Sequence, residues 1–403
     1  MDIVFDAAAT APRAPTGAAA SPAPTVARAP AAASGSPAGS VSRAARRGPG
    51  PGPRPTPGPP SRPPSPRSAS RGTPSPNPPA SSAPYGPPAG SPLHLVHRPA
   101  TPEGFLLDAT APVEQRFALS AELPDTHGVF NDGPGTFHDL LFAAESLRQA
   151  TQFVAHQYFR VPAERPAVFV SSGMDIQDLG PWRRTGRPAH MALDITLTPV
   201  DVVNGIPRGL DCRGAVAIDG EQCGSGTARL LFLMPGVYRA HRALGRRESL
   251  QGQVSAPFRP AVRSAVAPER VARLDPRNVL VGPPLRAIDG EFVLPVAAAP
   301  GNELFDGGSE GHIPGPVFLE ASRQAATVVA AELHGFRPAH AVLTHWWASF
   351  RGFGETDLPL TCTVTSREPL RDRAGRPTVR LRITFSQGSR VLATTSATLL
   401  QDC

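Results

Sequence analysis

The sequence predicts an α+β protein made by duplication, in which one apolar helix and an antiparallel meander of strands occur twice. Three observations predict it. The segment Leu141-Phe-Ala-Ala-Glu-Ser-Leu-Arg-Gln-Ala150 recurs as Val317-Phe-Leu-Glu-Ala-Ser-Arg-Gln-Ala325, with Glu145 on Glu320, Arg148 on Arg323 and Gln149 on Gln324 at one offset of 175 residues (320 − 145). That period is too long for a solenoid unit and suits a duplicated domain. Each copy is followed by short runs of alternating apolar and polar residues, divided by Gly-containing turns. Finally, the texture of a folded chain begins only near Leu93, after a long segment with almost nothing to bury.

That leading segment, residues 1–92, holds 24 of the 50 prolines and no acidic residue after Asp6. It cannot bury enough apolar surface to offset its conformational entropy, so it is expected to be a disordered tail, dispensable for folding and catalysis. Its nine arginines against two aspartates give +7, the whole net charge of the 403-residue chain. The remainder is charge-balanced and carries no basic stripe, which argues against a nucleic-acid partner. No run approaches 18 apolar residues, so no membrane span is expected. The N-terminus has no positive flank and no sustained apolar core of the secretory kind. Cys212, Cys223, Cys362 and Cys403 show neither metal-type spacing nor a disulfide framework. A soluble, cytoplasmic protein is the expectation.

Within the folded part, order starts near Leu93. Leu140, Leu141, Ala144, Leu147, Thr151, Val154 and Ala155 keep a helical period over 138–158, with Thr136 as cap. Strands are expected at 192–203, 214–218 and 227–234, with turns at Asp219-Gly220 and Gly224-Ser-Gly226. Residues 245–275, rich in Arg, Pro, Ala and Gln, read as a linker between a first repeat at 93–244 and a second at 276–403. The second repeat shows a strand at 291–296, a helix at 316–333 closed near Gly335, and strands at 342–353, 360–366, 378–385 and 390–400.

The chemistry is expected on the helices. Glu, Arg and Gln at i, i+3 and i+4 share one face, and their neighbours are otherwise apolar. A carboxylate so placed should have a raised pKa and can act as general base near neutral pH. The competing reading is an intrahelical Glu–Arg pair that only satisfies itself, and two copies in matched register weigh against it. Pro316 suits a first helical turn, and Gly315 ahead of it leaves room for a ligand to reach the free N–H groups there. His312 lies just before that entrance, and His138, one position out of register, is either its degenerate counterpart or a capping-region residue. Arg323 can hold a phosphate or carboxylate. His345-Trp346-Trp347 reads as sheet packing with a polar tip. His97-Arg98 is open between a surface pair and a phosphate contact. There is no GxSxG, P-loop or GxGxxG motif.

Together, Leu95-Val-His-Arg98, Glu145-Ser-Leu-Arg-Gln149, Ala155-His-Gln-Tyr158 with Val161-Pro162, Asp275-Pro-Arg-Asn-Val-Leu280, His312-Ile-Pro-Gly315 and Glu320-Ala-Ser-Arg-Gln-Ala325 resemble the A-factor biosynthesis (AfsA-type) proteins of actinomycetes, over residues 93–403. The resemblance implies a tandem hotdog fold. It also implies an acyltransferase that joins a β-ketoacyl chain on acyl carrier protein to the hydroxyl of dihydroxyacetone phosphate, in the synthesis of γ-butyrolactone signals. In those terms Glu320, or Glu145 across a groove, is the base, with His312 beside the second helix entrance. N–H groups near Gly315 polarise the thioester carbonyl. Arg323 with Arg148 holds the phosphate, and Gln149, Gln324, His97 and Arg98 line the substrate. The two repeats are expected to pack sheet to sheet as a pseudo-dimer. Neither metal nor organic cofactor is called for, because ester exchange from a thioester needs base, oxyanion stabilisation and positioning. A homo-oligomer, a hotdog acyl-carrier thioesterase and a non-catalytic acyl-binding regulator stay open as alternatives. Dehydratase chemistry does not fit, since the eight-residue spacing from His312 to Glu320 is too short.

Overall fold

The computed structural model describes residues 115–255, 265–288, 290–297, 305 and 311–402, together with the backbone of a strand at His94–Pro99. The tail expected at 1–92 and the side chains of His97 and Arg98 lie outside the described residues. The two repeats follow the same course. The first runs β1 (His94–Pro99), β2 (Gln115–Leu123), α1 (Leu140–Gln157), β3 (Ala167–Ile176), β4 (Ala189–Val203), β5 (Ile206–Ile218) and β6 (Glu221–Phe232). A second helix, α2 (Pro235–Ser255), follows. The other repeat runs β7 (Leu285–Arg286), β8 (Phe292–Val296), α3 (Gly315–His334), β9 (Ala341–Phe350), β10 (Leu360–Ser366), β11 (Leu370–Arg371), β12 (Pro377–Gln387) and β13 (Arg390–Gln401).

In space the first repeat is ordered β2-β4-β5-β6-β3 and the second β8-β10-β12-β13-β9, the same topology twice. Each is an antiparallel sheet with one helix against one face, the hotdog arrangement. Strands such as β4 alternate buried and exposed residues, as a sheet covered on one side requires. The halves join edge to edge, not face to face: β3 and β9 pair antiparallel from Ser171↔Ser349 to Asp175↔His345, making one continuous sheet. This corrects the sheet-to-sheet expectation. Two strands left with unpaired N–H and C=O groups satisfy each other, and α1 and α3 touch side by side on the covered face. At the seam Gly173 is needed, because a Cβ there would meet Trp347 Cδ1 at 2.8 Å. Trp346 is buried beneath the sheet, Trp347 stands on the open face, and the His345 Nδ1 contacts Asp175 Oδ1 across the seam.

Three local expectations are corrected. Gly224-Ser-Gly226 is not a turn but the middle of β6. Its glycines, with Gly214 opposite Gly226, make room for α1: a Cβ on Gly226 would meet Leu147 Cδ2 at 2.7 Å and Met174 Cε at 2.8 Å. The cap of α1 is Asp139, whose Oδ1 accepts the Leu141 N–H, while Thr136 uses its carbonyl to bind Arg184 N–H. The boundary expected at residue 244/245 falls inside α2, which docks on the second repeat through Arg246–Asp357 and Arg390–Glu248 ion pairs. Among the described residues no helix is long and apolar enough to cross a membrane.

Candidate active site

The two helix-borne triads have the same residues but different surroundings. On α1, Arg148 grips Glu145 with both edges of its fork, Nε to Oε2 at 2.8 Å and Nη2 to Oε1 at 2.6 Å. Gln149 Nε2 donates to the same Oε1 at 2.9 Å. The second amino group of Arg148 reaches Gln152, and 29 % of the Arg148 side chain is exposed. Among the described residues Glu145 therefore carries one cation, and its side chain keeps 11 % of its surface open.

On α3, Glu320 is sealed. Arg323 grips it in the same manner, Nε to Oε2 at 3.0 Å and Nη2 to Oε1 at 2.7 Å, and Gln324 Nε2 donates to Oε1 at 2.6 Å. A second guanidinium, Arg273, grips it from the opposite side, Nε to Oε1 at 2.9 Å and Nη2 to Oε2 at 2.7 Å. Five donors on one carboxylate leave no lone pair for a substrate proton. Burial alone would push this carboxyl up, but the charges and hydrogen bonds of Arg273 and Arg323 outweigh it and hold it down to about 2. The expectation of a raised pKa is thus reversed for Glu320, because the decisive cation comes from 47 residues upstream. Gln324 is equally committed, donating to Asn278 O and accepting from Leu280 N–H.

Arg273 also ties the repeats together. Its Nη2 donates to Asp139 Oδ2 at 2.8 Å, so the cap of α1 and the carboxylate of α3 share one guanidinium. The segment around it works as a strap. Val271 O accepts from Arg323, Asp275 N–H donates to Asp132, and Asn278 Nδ2 donates to both Gly128 O and Asp132 Oδ2. Sequence reasoning missed Arg273 and Asp139. A signal existed, since the 175-residue offset also sets Val271 on Val96 and Arg273 on Arg98 (273 − 98).

His312 belongs to another cluster. Its Nδ1 lies 3.3 Å from Tyr238 Oη, its ring packs edge-on to Phe353, and its backbone bridges to Glu355. Buried Glu355 in turn binds Arg242 and Arg246 of α2. The entrance of α3 begins at Gly315, with Pro314 as a cap that offers no side-chain acceptor. Among the described residues a Cβ on Gly315 would meet nothing within 4 Å. His138, at the other entrance, donates its backbone N–H to Trp182 O and is buried. Burial and then Arg184 push its imidazole pKa down. His97 and Arg98 sit on β1, paired with Phe117 and Arg116 of β2.

Comparison with known proteins agrees with this architecture. The A-factor biosynthesis hotdog domain matches residues 82–234 and again 254–401. A 2-oxo-3-(phosphooxy)propyl 3-oxoalkanoate synthase of Streptomyces coelicolor is 28 % identical over 309 residues, 75 % of this chain and 90 % of that protein. The enzyme of the same name from Streptomyces virginiae is 27 % identical over 69 % of this chain and 87 % of that one. Among solved structures, the 12:0-ACP thioesterase from Umbellularia californica superposes with a TM-score of 0.42 at 8 % identity, over 71 % of this chain and 94 % of that one. With the domain matched twice and across most of its length, this chain belongs to the A-factor biosynthesis hotdog domain family.

Proposed function

We propose that the protein is an acyltransferase that moves a β-ketoacyl chain from an acyl carrier protein thioester to the hydroxyl of dihydroxyacetone phosphate. The observation that carries this reading is the match to synthases along about nine tenths of their length. Their name describes an ester whose acid is a 3-oxoalkanoate and whose alcohol is a phosphorylated three-carbon ketone. In the step, the hydroxyl oxygen bonds to the thioester carbonyl carbon, the C–S bond breaks, and the hydroxyl proton passes by way of the base to the departing thiolate.

Glu145 is the base in this proposal. It is the one of the two matched carboxylates that keeps an exposed edge, while Arg148 and Gln149 fix its orientation. Glu320 is assigned a positioning role: it holds Arg323 and Arg273. The uncapped first turn of α3 at Gly315 supplies backbone N–H groups for the carbonyl oxygen. The test is incubation of the full chain with β-ketoacyl-carrier thioester and dihydroxyacetone phosphate, followed by mass spectrometry. The phosphorylated ester is the expected product. Release of free β-keto acid, indifferent to added dihydroxyacetone phosphate, would make the protein a thioesterase instead.

A further inference from the structure

A groove of about 570 Å³, its open mouth included, lies where the entrance of α1 meets the strap and the start of β9. Buried among its lining residues are His138, Arg273 and Arg323, and its other charged or titratable members include Arg184, His340 and Asp139. The hydrogen bonds show which atoms remain available. Arg273 and Arg323 each commit Nε and Nη2 to Glu320 and its neighbours, and among the described residues neither Nη1 group has a partner. Both side chains are more than nine-tenths buried. Two guanidinium edges without a protein acceptor in one open groove are donors that an anion can reach.

His138 adds a third donor. Asn131 Oδ1 accepts the Asp139 N–H at 2.7 Å, which fixes the orientation of the Asn131 amide. Asn131 Nδ2 therefore donates to His138 Nδ1, at 3.3 Å. A neutral imidazole whose Nδ1 accepts carries its proton on Nε2, and Nε2 has no partner among the described residues. The acceptors nearby are occupied: Asp139 takes Leu141 N–H on one oxygen and Arg273 on the other. Among the described residues the groove thus presents donors from both repeats, with its only carboxylate, Asp139, engaged.

We propose that this groove is the phosphate subsite of the acceptor, binding a phosphomonoester through Arg273 Nη1, Arg323 Nη1 and His138 Nε2. The proposal rests on the acyl-transfer reading for the identity of the phosphorylated ligand, while the donor set itself calls for an oxyanion of that size and charge. It also gives the strap a purpose, since Arg273 reaches the groove only by way of residues 271–280.

The experiment is calorimetric titration of the full chain with inorganic phosphate and with dihydroxyacetone phosphate, using dihydroxyacetone as the phosphate-free control. The variants are His138→Phe, which keeps a planar ring without the N–H, and Arg323→Lys, which keeps charge without the fork. Phosphate and dihydroxyacetone phosphate should compete, dihydroxyacetone should not, and each variant should weaken both phosphates by about tenfold or more, the loss of one charge-assisted hydrogen bond. KM for dihydroxyacetone phosphate should rise while KM for the acyl thioester stays. Undiminished phosphate binding in both folded variants, or none by the wild type, overturns the subsite. Wild-type turnover with unchanged variant KM values rejects the subsite and leaves acyl transfer standing. Phosphate binding through these residues without any acyl transfer does the reverse. Histidine-labelled wild-type protein gives a reading free of folding defects: saturating phosphate should shift the His138 Nε2 resonance, and an unmoved resonance overturns the proposal.

Discussion

Glu145 and Glu320 occupy the same place in two copies of one fold and keep the same Arg and Gln neighbours, yet only one of them is closed off. Among the described residues Glu145 meets one guanidinium and keeps an open edge, whereas Glu320 meets two guanidiniums and keeps none. The difference comes from outside the helices. The strap that lays Arg273 over α3 has no counterpart over α1 among the described residues. Duplication thus supplied two potential bases, and the grip of Arg273 from outside the helix makes Glu320 a strut. The same divergence runs down to the sheet. Where α1 presents Leu147 to a floor of Gly214 and Gly226, α3 presents the equivalent Ser322 to Thr395, bonded through their hydroxyls at 3.0 Å.

The sharpest way to break the comparison is to remove Arg273. Arg273→Met leaves buried Glu320 with half its compensation and Asp139 without its partner, and should cost about 3–5 kcal/mol in a denaturant melt. Arg148→Met, which removes a partly exposed guanidinium from a less enclosed carboxylate, should cost less than Arg273→Met. Equal costs would mean that the two carboxylates are not differently loaded.

Acid should test the sealed carboxylate next. The folded pKa of Glu320 lies at about 2, below the ordinary value of 4.5. The unfolded chain therefore binds this proton more readily, and the stabilisation is complete above about pH 4.5 and disappears as pH falls through about 2. Over that window it amounts to roughly 3 kcal/mol. Unfolding free energies between these limits should fall steeply in wild type and more shallowly in Glu320→Gln. Parallel curves would show that Glu320 is not held ionised by its arginines.

A smaller effect tests the sheet. Gly226→Ala drives a methyl into Leu147 and Met174 and should destabilise by about 1–3 kcal/mol. Gly315→Ala, whose Cβ would meet open space, should stay within about 0.5 kcal/mol. Thermal melts of the pair decide it. A neutral Gly226→Ala would remove the packing reason given for the glycines of β6.

Much of this architecture was legible in the sequence, because helical period, strand alternation and the turn at Asp219-Gly220 are local signals. The positive φ of Gly220 meets that expectation. What stayed hidden depends on partners far along the chain. The glycines of β6 look like a turn until Leu147 is seen above them. The first part of the expected linker is helix α2, whose polar face becomes intelligible only against Glu355 and Asp357. The raised pKa expected of Glu320 follows correctly from an apolar helix, and fails because Arg273 arrives from a segment with no periodic signature.

The division of labour is tested most directly by measuring acyl transfer to dihydroxyacetone phosphate, with melting temperature, for Glu145→Gln beside Glu320→Gln. Loss of a positioned base should lower turnover of Glu145→Gln by about 10²–10⁴-fold with its melting temperature nearly unchanged. Glu320→Gln should melt earlier, having left two buried arginines undercompensated. Full turnover by a folded Glu145→Gln protein would contradict the account.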